Sequence, residues 1–226
     1  MTNEDRVTRL ERVMQTVTAI VARPVRQFLT ASSGYFASDC LLHAELARVL
    51  MADLGIQART VVGYAAWRLG PGDGDVIIHV PSNPDVLPAE RQVLYHTWLE
   101  LDCLYADVTT YQLKFKAESM DVGDGQHTTV NWCPDFLVVR RGAVRSLEAV
   151  RDGWDVGRAF YRPASVDFQY KIKSGFEPDP EDVEIVRRLL VNPAANVVGP
   201  NHVLGVPYAP ASRRRENRSV ATSQER

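Results

Sequence analysis

Residues 38–54, SDCLLHAELARVLMADL, constrain the fold more than any other stretch, because they are apolar around nearly the whole circumference of a helix. Leu42, Leu46, Val49 and Leu50 recur at the spacing that lines one helical face. Ala44, Ala47 and Ala52 permit close approach on the others. Beyond the first turn the polar residues are His43, Glu45, Arg48 and Asp53. A helix with so little polar surface must be surrounded, so the pattern predicts a central helix. Ser38 or Asp39 can cap its start, and Gly55 can end it. Hydrophobic residues make up 45% of the 226, enough to build a core around it.

Residues 4–29 carry a second helical stripe, with Val7, Leu10, Met14, Val17 and Val21 at spacings of three and four. Pro24 is expected to end or interrupt it, and residues 30–35 read as loop. Extended segments follow at 59–67 and 76–80, around a PGDG turn at 71–74, then at 93–101, 104–111 and 135–140. Residues 81–88 read as loop and 118–128 as a polar loop or small insertion. A helix over 181–191 starts from the acidic stretch at 179–182. No internal repeat is evident. A central helix followed by antiparallel strands predicts an α+β domain over residues 1–211, with an N-terminal helix and a C-terminal elaboration. Residues 212–226, which open with SRRRENR, are expected to be a disordered basic tail.

The formal net charge of −2 offers no electrostatic case for nucleic acid. Acidic residues stand where a signal peptide would be basic, and no apolar run approaches membrane-spanning length. A cytoplasmic protein without a membrane partner is the expectation. Cys40, Cys103 and Cys133 are odd in number and widely spaced, which fits neither a disulfide framework nor a C-x-x-C metal set. They suit a reducing compartment, and neither cofactor nor metal is expected.

A thiol becomes a nucleophile where its thiolate is favoured, and a helix N-terminus with a nearby imidazole does this. Cys40 falls in the first turn of the central helix. Cys103 lies at a tight turn and Cys133 precedes Pro134, so both read as packing or surface thiols. His43 is close to Cys40 in sequence but has no local group to orient it, and reads as a half-buried helical histidine. His96 is the better partner. A two-residue turn at Leu101-Asp102 would set Glu100 opposite Cys103 and His96 opposite Asp107, with Cβ atoms about 5 Å apart on one sheet face. Asp107 would then fix the His96 tautomer. Trp98 shares that face and can pack on the imidazole; Glu100 can pair with Arg59.

These pieces resemble the transglutaminase-like cysteine enzymes, relatives of the papain arrangement. Cys40 and Ala44 match a C-x-x-x-A piece. Gly55, Ile56, Ala58, Arg59, Val61 and Gly63 match G-I-x-A-R-x-V-x-G. His96, Trp98 and Glu100 match H-x-W-x-E, and Asp107 and Thr109 match D-x-T. The resemblance covers residues 34–112. It implies Cys40 as nucleophile, His96 as base and Asp107 as orienting acid, on a cysteine-bearing helix packed against an antiparallel sheet. Many members carry acidic residues after the cysteine, where this chain has Leu41 and Leu42. The Cys40 backbone N–H is a first oxyanion donor. Tyr35, upstream of the cysteine as aromatic residues often are in the family, is the candidate for the second, or for a wall of the cleft.

The expected activity is cysteine-dependent hydrolysis of an amide bond through an acyl-thioester, on a peptide, protein or small amide or thioester substrate. The alternatives are acyl transfer to an amine, or a binding protein that has kept the scaffold without activity. A metal hydrolase built on His79, His96, Asp107 or His127 is a further rival, without H-E-x-x-H spacing. Residues 140–226 match no familiar piece, and are expected to cover the cleft or set substrate choice.

Overall fold

The computed structural model describes residues 2–34, 38–81 and 94–203. Tyr35 and the basic run at 212–218 lie outside the described residues.

Helix α1 (Asn3–Ser32) opens on a capping box: the Thr2 hydroxyl accepts from the Asp5 N–H at 3.1 Å, and the Asp5 carboxylate accepts from the Thr2 N–H at 2.8 Å. The break expected at Pro24 does not occur, and the helix runs on through residues 30–32, which the sequence reading put in a loop. An interior proline costs a helix about 3 kcal/mol. Val25, Phe28 and Leu29 are buried just beyond it. At roughly 1.5–3 kcal/mol for each such side chain, their burial outweighs the proline.

Helix α2 (Cys40–Asp53) is the central helix, packed on α1, on the sheet and on the later helix Pro180–Val191. Leu46 and Leu50 are completely buried. Gly55, at φ +81°, ends it as expected: its N–H donates to the Ala52 carbonyl at 2.9 Å, and Ile56 N–H to Met51 at 2.8 Å. Asp39 holds the N-cap position, but its side chain makes no cap bond. It is used elsewhere, as described below.

Among the described residues six antiparallel strands form the sheet: β1 (Arg59–Arg68), β2 (Val76–His79), β3 (His96–Leu101), β4 (Leu104–Asp107), β5 (Leu137–Arg140) and β6 (Ala159–Pro163). Their order is β2-β1-β3-β4-β5, with β6 also paired to β1. Strand β1 is the hub: residues 59–63 pair with β3, 65–68 with β2 and 63–67 with β6. Strand alternation then sorts the side chains. Leu99, Leu104 and Ala106 join the core shared with α1 and α2. Val61, Trp67, Trp98, Tyr105 and Tyr161 form a separate cluster on the opposite face. The architecture is α+β, an antiparallel sheet with flanking helices.

The β3–β4 hairpin differs from the expected one. Leu101 pairs with Leu104, so the turn is Asp102-Cys103 rather than Leu101-Asp102. Asp102 takes φ +54°, the positive value a primed hairpin turn needs at its first central residue. Extending this register sets Trp98 opposite Asp107, leaving His96 one diagonal away. A displacement of two residues preserves the face, so both still point the same way. The polar stretch expected as a loop at 118–128 is largely helical, the second half of α3 (Leu113–Asp124). Only Leu113 and Ala117 of that helix are buried, which is why its pattern reads as loop. Among the described residues no helix is long and apolar enough to cross a membrane.

Candidate active site

Cys40 begins α2 and His96 begins β3, and the packing of helix on sheet brings these two starts together. The Cys40 sulfur lies 3.7 Å from the Thr97 hydroxyl. Both Cys40 and His96 border a pocket of about 130 Å³, which Trp67, His79, Tyr95 and Lys116 also line.

Asp107 holds His96 from behind. The His96 Nε2 is 2.8 Å from Asp107 Oδ2, which also accepts from the Tyr161 hydroxyl at 2.8 Å. Oδ1 accepts from the Thr109 N–H at 2.9 Å and its hydroxyl at 2.7 Å. Tyr161 in turn accepts from the Trp67 indole N–H at 2.9 Å. All four lone-pair sites of the carboxylate are thus used, the condition under which a buried charge is tolerated. Burial pushes the Asp107 carboxyl up, but His96 and the Thr109 hydrogen bonds outweigh it and hold its pKa below the ordinary range.

The imidazole is almost fully enclosed. Trp98 stacks on it at 6.3 Å with an 18° tilt, as the alternation along β3 suggested, and the edge of Trp67 closes another side at 4.7 Å. Burial opposes the charged ring, yet the Asp107 carboxylate, with a smaller contribution from Cys40, pushes its pKa up to about 9. With Nε2 committed to Asp107, the remaining nitrogen, Nδ1, is buried without a hydrogen bond of good geometry among the described residues, and Cys40 is the neighbour close enough to add to the ring's raised pKa by hydrogen bonding and charge. This is the nitrogen left for the Cys40 thiol. The arrangement has the parts of an activated thiol: a helix N-terminus, an imidazole and an acid that fixes the tautomer.

His43 is fully buried and has its own attachments. Its Nδ1 lies 3.1 Å from the Asp39 carbonyl and 3.2 Å from Asp39 Oδ1, and its Nε2 lies 2.7 Å from the Tyr111 hydroxyl. Gln112 donates to the same Asp39 carboxylate at 3.2 Å. Burial raises the Asp39 carboxyl, but the bond and charge of His43 bring it below its usual value. This network explains the missing cap: Asp39 fastens the start of α2 to the segment after β4 and so locates Cys40. Glu100 pairs with Arg59 at 2.9 Å, as its strand position suggested, and with Arg141 at 3.3 Å. That cluster ties β3 to its neighbours.

Cys103 sits in the hairpin turn, and the Cys133 thiol donates to the Thr110 and Tyr111 carbonyls at 3.4 and 3.5 Å; all three cysteines are unpaired. Of the residues considered for a metal, His79, His96 and Asp107 are buried while His127 is exposed. Among the described residues no cluster of three or more such side chains is placed to hold a metal ion.

Trp67, which lines the pocket and packs on His96, was not foreseen from the sequence, and neither were three other contributors. Tyr161 comes from β6, within the C-terminal elaboration, and reaches Asp107 only because β6 pairs with β1. Lys116 comes from α3; burial lowers its pKa to about 8 although Cys40 and Asp39 both favour its charge. Tyr95, pushed up to about 12 by burial and then by Cys40, immediately precedes the histidine.

No family model matches this chain, and no curated protein matches it. A structural-genomics crystal structure is similar at 18% identity over 78% of each chain, with a TM-score of 0.52. That likeness extends to the fold alone.

The raised His96 pKa has a consequence for stability. The folded chain holds the His96 proton to about pH 9, against 6.5 for an ordinary histidine. This group therefore stabilises the fold fully below pH 6.5, and the contribution is lost as pH rises toward 9. Lys116 opposes the loss above about pH 8, and His79, kept neutral by the folded chain, opposes it near pH 6.5, so the His96 slope stands clearest between about pH 7 and 8. Urea unfolding is expected to show a fall of roughly 1 kcal/mol across that window. A His96→Asn variant should lose most of the slope.

Proposed function

We propose that this chain is a cysteine-dependent amide hydrolase with a transglutaminase-like core, acting through an acyl-thioester on Cys40. The observation that carries the reading is the buried His96–Asp107 pair, which leaves His96 Nδ1 to a cysteine at a helix N-terminus. The proton shared by Cys40 and His96 rests on His96, and the Cys40 sulfur attacks the carbonyl carbon. The oxyanion collects on the free N–H groups of the first turn of α2. The C–N bond then breaks as His96 passes its proton to the departing amine, leaving a thioester. Water attacks next, giving a proton to His96; the C–S bond breaks and the acid leaves. Asp107 keeps the imidazolium oriented throughout, and Trp98 and Trp67 keep it from bulk water. Three free thiols suit a reducing, cytoplasmic setting.

Alkylation tests this directly. Cys40, Cys103 and Cys133 are all partly exposed, so the two outer thiols serve as internal references. With iodoacetamide near neutral pH, followed by peptide mass spectrometry, Cys40 is expected to react at least about tenfold faster than either. Equal rates at the three positions would remove the basis for the proposal.

A further inference from the structure

His79 is a buried histidine without hydrogen bonds. It ends β2 opposite Ala65 of β1 and is 8% exposed. Neither ring nitrogen has a hydrogen-bond partner among the described residues. Trp67 meets it edge-on at 5.3 Å, His96 lies 5.7 Å away, and the ring borders the same pocket as Cys40. Buried polar groups in folded proteins are nearly always satisfied, and an exception calls for a reason. A leucine would fill this wall without desolvating two nitrogens, so packing against Trp67 does not account for a histidine here.

The surroundings also keep the ring uncharged. Burial first, then the nearby Lys116 and His96 cations, push its pKa well below the ordinary value. A neutral imidazole offers one N–H donor and one bare nitrogen acceptor. The two nitrogens point away from each other, so a single amide group meets one of them, its N–H reaching the bare nitrogen. A thioester lacks the N–H.

We propose that His79 is a substrate-contacting residue, its bare nitrogen accepting from the amide N–H of a substrate seated in the pocket beside Cys40. The inference rests on the thiol chemistry proposed for Cys40, and it selects amides over thioesters as the substrate class.

Two thiol reagents separate the possibilities. Iodoacetamide carries an amide; methyl methanethiosulfonate does not. In His79→Leu the reaction of Cys40 with iodoacetamide is expected to slow about tenfold, the rate equivalent of one hydrogen bond, with the thiosulfonate rate unchanged. His79→Gln keeps a donor and an acceptor and should stay within about threefold of the parent for both reagents. His79→Leu should melt no lower than the parent, since two unsatisfied polar atoms are gone. An unchanged iodoacetamide rate overturns the proposal. So does an equal loss with both reagents, which would mean that His79 acts on the thiol or on His96. Failure of His79→Leu to fold also counts against it, by making the ring a packing residue. If the parent Cys40 reacts with both reagents no faster than Cys103, the thiol chemistry itself fails, a result distinct from any effect of His79.

Discussion

Asp107→Asn is expected to lower turnover at Cys40 by about 10⁴-fold while leaving the chain folded, the loss seen when the orienting acid of such a triad becomes an amide. The reason lies in the count of donors. Asp107 accepts four hydrogen bonds: two from Thr109 on one oxygen, and those of His96 and Tyr161 on the other. An asparagine has a single oxygen and brings two donors of its own. Turning its oxygen toward Thr109 keeps the stronger local anchor but sets an NH₂ against His96 Nε2. The imidazole then relieves the clash by moving its proton to Nδ1, the nitrogen that must take the thiol proton. The variant retains the ring in place but in the tautomer that cannot act. Two measurements check this. The iodoacetamide rate at Cys40 should fall to that of Cys103. The His96 titration, followed by NMR at the ring carbons, should drop from about 9, since Asp107 provides the largest upward push. A titration left unchanged would mean that the carboxylate does not hold the proton.

The placement of Cys40, His96 and Asp107 was legible where it depended on local chemistry and strand parity. Cys40 is at a helix start because residues 40–53 are apolar and Gly55 stops them, both readable from one dimension. The His96–Asp107 pair survived an incorrect turn, because moving a register by two residues leaves every side chain on its face. What was hidden depended on distant partners. Tyr161 sits on a five-residue strand with no distinctive alternation, and its approach to Asp107 follows from the ten residues of β1 accepting neighbours along different halves. Pro24 read as a stop because propensity is local, while the packing that overrides it involves Val25 and Leu29 against elements far along the chain. His79 appeared in the sequence only as a possible metal ligand. Nothing in its flanking residues reveals that β2 would place both of its nitrogens without partners next to His96.

Gly63→Ala is expected to be the most destabilising small substitution near the site. Gly63 lies on β1 opposite His96 on one neighbouring strand and Pro163 on another. A Cβ built there would lie 2.2 Å from the Arg162 carbonyl oxygen, 2.6 Å from the Trp98 ring and 2.9 Å from the Pro163 Cα. Two of the three obstacles are backbone, held by the pairing of β6 with β1, so they cannot rotate away. The third is the indole stacked on His96. Relief requires prising β6 from β1 or displacing Trp98. The first loosens Tyr161, and the second uncovers the imidazole. Overpacking of this kind costs about 3 kcal/mol, which for a chain of this size lowers the melting temperature by roughly 6–12 °C. Gly123 provides the contrast. It sits within α3, with nothing within 4 Å of a built Cβ. Gly123→Ala should therefore hold or raise stability, by up to about 1 kcal/mol. Because Trp98 is one of the groups that must give, Gly63→Ala should also slow the alkylation of Cys40 at temperatures where the variant remains folded. A loss of stability without that slowing would mean that β6 yields and Trp98 stays on the imidazole.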